Sequence, residues 1–267
     1  MVDVLIILDG ASEAPGTSPS SLELARTPAL DRLGAAGARG WTTPLPAAVP
    51  VGSETAIASL LGWTPDGPVD RAALEAAARG LTPAPGERVW RVDITGGHRL
   101  LLFGAPPLPA IDAPAGWRVW PDGALPPRIL DERTVVIGAA GAATGLGALM
   151  GARVVIPPGT TGRPGSDLSA KYRAAVAAAG DGAERIVVHV GGPDEASHAR
   201  DRGAKIAAIE HADRELIGPL HELVERVGGE LRVCPDHGTD PDTGEHVGGP
   251  VPIVSWRAPA LVGPAGA

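Results

Sequence analysis

The chain has 267 residues, 44% hydrophobic and 20% charged, with a net charge of −8, the balance of a globular protein rather than a disordered one. An acidic chain with no basic run lacks the electrostatic footprint of a nucleic-acid binder, and no apolar run reaches the roughly 18 residues of a membrane span. The single Cys234 cannot form an internal disulfide, so the expectation is a cytoplasmic protein that engages neither nucleic acid nor membrane.

The N-terminal run "VLIIL" (4–8) reads as a buried strand ending at Asp9-Gly10; five apolar residues without a basic leader do not make a signal peptide. "TPALDRLGAAGARG" then opens a helix, with Thr27 as N-cap and Pro28 as first helical residue. Helical spacing returns in "ETAIASLLGW" (54–63), directly after Gly52-Ser53. Residues 66–131 break the rhythm. They are rich in Pro, Gly and Trp, and the short apolar pieces "RVWRVDI" and "HRLLLFG" predict a small inserted cap with antiparallel pairing, set between core segments 1–65 and 132–267. "RTVVIGAAGAATGLGALMGARVVIPPG" (133–159) reads strand, helix, strand, and "SAKYRAAVAAAG" reads helix. After these come the strand "RIVVHVGG", a long amphipathic helix "RGAKIAAIEHADRELIGPLHELVERVG" and the strand "ELRVCPDHG". Strands alternating with helices predict an α/β fold, its sheet mostly parallel and covered on both faces.

In such sheets ligands gather beyond the carboxyl ends of the strands. Asp9 ends the first strand, Asp194 and His198 follow "RIVVHV", Asp236 and His237 follow "ELRV", and His246 lies nine residues on. Ser53 opens a helix, where free backbone N–H groups and the dipole favour an anion. Each feature alone has a plain reading, as a helix cap or a solvated pair. Three Asp and three His at one sheet edge repel or stay unsatisfied unless cations hold them, which points to two divalent ions. Elsewhere, His189 sits inside a strand and reads as a packed histidine, His211 and His221 as helix residues, and His98 as a cap residue within reach of substrate. "GAAGAATGLGALMG" has no following GK[ST] and so is not read as a nucleotide loop.

Taken in order, "LIILDG", "RTPALDRL", "GSETAIASLLGW", "GPDEASH" with "KIAAIEHADREL", and "PDHG" followed by "EHVGGPVPIV" resemble the cofactor-independent phosphoglycerate mutases. These are di-metal members of the alkaline phosphatase superfamily, and "GAAGAATGLGALMG" and "PPGTTG" are similar to the archaeal-type branch. The resemblance implies an alkaline-phosphatase-like core. It places Asp194, His198 and His246 on one metal, and Asp9, Asp236, His237 and the Ser53 oxygen on the other, with Ser53 as the nucleophile that becomes phosphoserine. Carboxylate, imidazole and hydroxyl ligands suit manganese or zinc, with magnesium a third option.

The resemblance also brings Lys171 near the phosphate. Arg163 is a candidate for substrate phosphate or carboxylate, and Lys205 is expected to be solvated. Arg91, Arg99, Arg118 and Arg128 are cap candidates by presence alone, since the family's insert is larger and grips substrate with several arginines. The leading expectation is phosphoglycerate mutase-like isomerisation of a small phosphorylated substrate. The alternative is a metal-dependent phosphohydrolase of a small phosphoester, because a small cap excludes less water. A metal-binding protein without turnover is a third reading, disfavoured by an intact Ser53 and a full set of ligand positions.

Overall fold

The strand expected at the N-terminus lies at the centre of a seven-stranded sheet. The structure is a computed structural model describing residues 1–45, 49–94, 98–107, 117–120 and 122–259. The first part of the chain forms β1 (Val2–Leu8), α1 (Ser21–Leu24), α2 (Pro28–Ala36), β2 (Ala38–Thr42) and α3 (Ser53–Leu61). Next come α4 (Arg71–Ala77), β3 (Arg88–Ile94), β4 (His98–Gly104), β5 (Arg118–Val119), β6 (Thr134–Ile137), α5 (Ala142–Met150) and β7 (Arg153–Val155). The C-terminal part supplies α6 (Leu168–Gly180), β8 (Arg185–Val190), α7 (Gly192–His198), α8 (Arg202–Ala212) and α9 (Gly218–Val227). It ends with β9 (Gly229–Cys234), β10 (Gly238–Thr239), β11 (His246–Val247) and β12 (Val251–Arg257).

The sheet order is β2-β12-β9-β1-β8-β6-β7. The strands from β9 to β7 are all parallel, while β12 runs antiparallel to both β9 and β2. Successive side chains of a strand point to opposite faces, and β1 divides accordingly. Val4, Ile6 and Leu8 pack with α2, α6, α8 and α9, whereas Leu5 and Ile7 pack with α3, α4 and α5. Burial on both faces explains why β1 reads as a continuous apolar run rather than an alternating one.

β3, β4 and β5 form a separate three-stranded antiparallel sheet. α4, by contrast, inserts Leu74 into the same apolar layer as Ile57 and Leu146. Its close approach needs Gly145 of α5, since a Cβ there would overlap the Leu74 carbonyl. The helix expected over 202–228 is α8 and α9 joined by a π-helical turn at Asp213–Ile217. That turn aims the Asp213 carboxylate at α2, where it accepts from Ala29 N at 3.0 Å and Leu30 N at 2.7 Å. Thr27 occupies the N-cap position but makes no side-chain cap bond, so α2 is capped from another element. Among the described residues, no helix is long and apolar enough to cross a membrane.

Gly10, directly after β1, has φ +59°, and a Cβ there would lie 2.5 Å from both Asp194 Oδ1 and Thr239 Oγ1. Gly10→Ala is therefore expected to lose about 1–2 kcal/mol from the left-handed backbone alone, with further loss as those side chains are displaced. A parent-like midpoint in urea denaturation would refute this constraint.

Candidate metal centre

Because β9, β1 and β8 are neighbours in the sheet, their carboxyl ends bring Asp9, Asp194, Asp236 and His237 together. Asp9 immediately follows β1, Asp236–His237 follow β9 after Pro235, and Asp194 lies in the first turn of α7. α3 approaches from the side and presents Ser53 at its first residue. Ser53 Oγ lies 3.3 Å from Asp9 Oδ1 and 3.1 Å from His237 Nε2. β11 delivers His246, whose Nε2 is 3.5 Å from Asp194 Oδ1 and 3.0 Å from His198 Nε2. His198 Nε2 in turn is 3.2 Å from Asp194 Oδ2. All seven residues expected to bind metal thus meet at one place.

The imidazole tautomers follow from the backbone. Each Nδ1 of His237, His198 and His246 faces a carbonyl, of Gly238 at 3.0 Å, Gly244 at 2.8 Å and Val51 at 3.3 Å. A carbonyl can only accept, so each Nδ1 carries a proton and each ring turns its Nε2 toward the cluster. This is how metal-ligating histidines are oriented by their outer partners. The Nε2 atoms of His198 and His246, 3.0 Å apart, are close enough to serve one cation. Asp236 Oδ2 points the same way, being buried without a hydrogen-bond partner, while Oδ1 accepts from Gly10 N and His237 N.

The carboxyls respond in opposite senses. Burial, reinforced by Asp194, raises Asp9 to about 7; burial, reinforced by Asp9, raises Asp236 to about 7. Burial opposes charge on Asp194 as well, but hydrogen bonds with His198 and His246 hold it below the carboxylate range. The donor atoms form two overlapping sets, Asp9–Asp236–His237 and Asp194–His237–His246, with His198 beside the second. Asp236 and His237 have no exposed side-chain surface, whereas His198 is 43% exposed. One position is therefore deep and the other borders solvent. Oxygen- and imidazole-rich sets of this kind fit divalent cations.

A cleft of about 360 Å³ lies over these groups. Its walls include Ser53 and His189, the start of α5 at Gly141–Ala143, and Arg71 of α4, Arg91 of β3, Arg99 of β4 and Trp120 next to β5. A larger groove of about 830 Å³, between α2 and the π turn, holds no such cluster of convergent ligands, so size does not locate the site. Arg71 was not among the cap arginines singled out from the sequence. It pairs with Glu54 at 2.8 Å and Glu75 at 3.2 Å, tying the helix of Ser53 to the cap. Although burial works against its charge, Arg71, Arg79 and Arg91 hold Glu75 below the carboxylate range. Arg118 lies over Trp120, 5.0 Å from the ring centroid, and Arg128 does not line the cleft. The side chain of His98 is outside the described residues.

Two further expectations meet the structure differently. Lys205 is not solvated but fully buried, because three acceptors from distant loops surround its ammonium. His189 is not simply packed in the core: its Nε2 lies 3.0 Å from Asp9 Oδ2 and its ring lines the cleft. Burial lowers its pKa to about 4, so it meets Asp9 as a neutral ring rather than an ion-pair partner. Lys171 is fully buried and donates to the His189 carbonyl at 2.6 Å, behind the cleft wall. Arg163 is exposed and lines a small neighbouring cavity with Lys171 and His211.

Residues 1–260 match the family model for the metalloenzyme superfamily. The 2,3-bisphosphoglycerate-independent phosphoglycerate mutase of Methanothrix thermoacetophila is 38% identical over 142 residues, covering 51% of this chain and 36% of that protein. The enzyme of the same name from Methanopyrus kandleri is 34% identical over 125 residues, 47% of this chain and 29% of that one. The chain therefore spans about a third of the length of these curated relatives. The PH0037 protein of Pyrococcus horikoshii has the same fold, with a TM-score of 0.77 at 23% identity over 96% of this chain and 85% of its own. The family match runs through every strand that carries a clustered carboxylate or imidazole, and the chain belongs to the metalloenzyme superfamily of divalent-metal proteins.

Proposed function

We propose that this chain is a di-metal phosphoryl-transfer enzyme that isomerises a phosphoglycerate-like substrate through phosphoserine at Ser53. The observation carrying this reading is the position of Ser53 Oγ, at a helix N-terminus and within 3.3 Å of both Asp9 and His237. Asp9, Asp236, His237 and Ser53 would hold the deep cation, and Asp194, His198 and His246 the outer one. Manganese or zinc suits these donors, and magnesium is a third choice. When bound, two such ions depress the serine pKa and neutralise charge on the transferring phosphoryl group.

The chain's own groups account for the rest. Ser53 Oγ forms a bond to phosphorus as the ester P–O bond breaks, and the departing substrate oxygen takes up a proton. Return of the phosphoryl group to the neighbouring hydroxyl gives the isomer and frees Ser53. Free N–H groups at the start of α3 favour the anion as it docks. Arg71, Arg91 and Arg99 face the metal centre from the cap, where planar guanidinium groups suit a carboxylate or phosphate. Lys171 adds positive charge from behind His189, and Arg163 remains a candidate for a substrate anion reaching the neighbouring cavity. A second reading, hydrolysis of a small phosphoester, is favoured by the exposure of His198, which lets water approach the outer position.

Mn(II) and 3-phosphoglycerate, followed by phosphorus NMR, separate the two readings: 2-phosphoglycerate without free phosphate is expected, and free phosphate alone would replace isomerisation by hydrolysis. Ser53→Ala should lose at least about 1000-fold in turnover while the remaining ligands still bind Mn(II); near-parent activity would remove Ser53 from its role. Arg99→Ala should raise KM by about 10-fold or more, the worth of a charge-assisted hydrogen bond, and an unchanged KM would exclude its contact with substrate. Asp9 and Asp236 are protonated below about 7 without a cation, so Mn(II) must displace protons there. Calorimetry should find affinity falling as pH drops from 8 to 5.5, with proton release on binding; a flat profile would overturn the assignment of these carboxyls as ligands.

A further inference from the structure

A lysine with no exposed surface is costly unless its donors are used. Lys205, in the first turns of α8, is such a residue. Its Nζ donates to the Ser12 carbonyl at 3.0 Å and the Thr239 carbonyl at 2.6 Å, and lies 3.6 Å from Glu13 Oε1. Ser12 and Glu13 belong to the loop that begins with Asp9, and Thr239 lies two residues past His237. Both loops are drawn to one ammonium, and Thr239 N also donates to the Ser12 carbonyl at 3.0 Å. Glu13 is fixed in turn by Ser21, whose N lies 3.1 Å from Oε1, and its carboxylate is 3.8 Å from Arg202.

Thr239 carries this order to the third ligand-bearing element. Its hydroxyl donates to Asp194 Oδ1 at 2.6 Å, leaving Oδ2 facing His198 at 3.2 Å. We infer that Lys205 is a positioning residue of the metal centre: it clamps the Ser12–Glu13 and Thr239 loops together, and Thr239 then sets the orientation of Asp194. Removing the ammonium takes the Lys205 donor from the Thr239 carbonyl, leaves the Ser12 carbonyl with Thr239 N alone and strips buried Glu13 of its nearest cation, so the two loops lose the group that draws them together. This assignment rests on the reading that Asp9, Asp194, Asp236 and the three histidines hold cations.

The test is the Mn(II) dissociation constant of the full chain at 25 °C, read from free Mn(II) by electron paramagnetic resonance, with folding followed by circular dichroism. Lys205→Met should weaken Mn(II) binding by about 10- to 100-fold, the usual effect of losing an outer partner of a ligand. Thr239→Val should weaken it as well, and the double variant should lose less than the product of the two single effects, because both act along one chain of contacts. A purely structural lysine would lower the melting temperature and leave the Mn(II) constant of the folded protein at its parent value, and that result would overturn the inference. If Lys205→Met fails to fold, Thr239→Val decides alone: parent-like Mn(II) binding in it overturns the inference, and weakening of about 10-fold upholds it. A parent chain that binds no Mn(II) would refute the metal reading itself, a distinct outcome from parent binding that these substitutions leave untouched.

Discussion

Burying carboxylates beside one another is the constraint on which the rest of this molecule depends. Asp9, Asp194 and Asp236 are each at most 7% exposed, at the ends of adjacent strands, where water cannot relieve their charge. Such an arrangement is unfavourable without a counter-charge: burial raises two of the three toward neutrality, and the third keeps its charge through hydrogen bonds with His198, His246 and Thr239. The histidines answer this charge only in part, since the hydrogen bond with Asp194 raises His198 to about 9, and a divalent cation would answer the rest. Every histidine of the cluster directs Nδ1 at a backbone carbonyl and turns Nε2 to the centre. Lys171 and Lys205, the chain's two lysines, are directed at carbonyls instead.

The parallel sheet makes this concentration of charge possible. Placing β1 between β8 and β9 aligns three strand ends that are far apart in the sequence, and the apolar layers on both faces fix those ends against one another. Only a glycine fits where the first loop turns, because Gly10 has a left-handed backbone and faces Asp194 and Thr239 at contact distance. The same residue donates its N–H to Asp236 at 3.1 Å. One small residue thus touches two ligand-bearing elements while following the ligand of a third, so errors in the turn propagate to all three.

The legible part of the sequence was that governed by local pattern. Strand β1, the helix starting at Pro28, the Ser53 helix and the pairing of "RVWRVDI" with "HRLLLFG" are visible because hydrophobic period and turn residues encode them nearby. The convergence of seven candidate ligand residues was legible through the rule that strand ends face one edge. Lys205 was not, because its acceptors are backbone atoms, one of them 193 residues away, and a carbonyl leaves no trace in residue type. His189 was missed for a related reason: within "RIVVHV" its period matches a core position, yet strand β8 ends one residue later and the ring lies over Asp9. The cap capping of α2 by Asp213 likewise depends on a π-helical turn that no periodicity announces.

On the proposed reading, whether a phosphoryl group returns to substrate or passes to water depends on the contacts between α3, α4 and the three-stranded sheet. Glu54, next to Ser53, pairs with Arg71; Arg71 pairs with Glu75; Glu75 meets Arg91, 3.5 Å away; and Arg91 pairs with Asp93, which accepts from Trp120 Nε1 at 2.7 Å. Most of these groups are more than four-fifths buried, so the chain of charges is less screened than a surface network. It couples the start of α3 to the antiparallel sheet above it, and any shift of the cap is felt next to Ser53. An anionic substrate entering the cleft competes with Glu54, Glu75 and Asp93 for the same guanidinium groups. Isomerisation requires that competition to favour the substrate long enough for retransfer, because a dephosphorylated product that leaves concedes the phosphoserine to water.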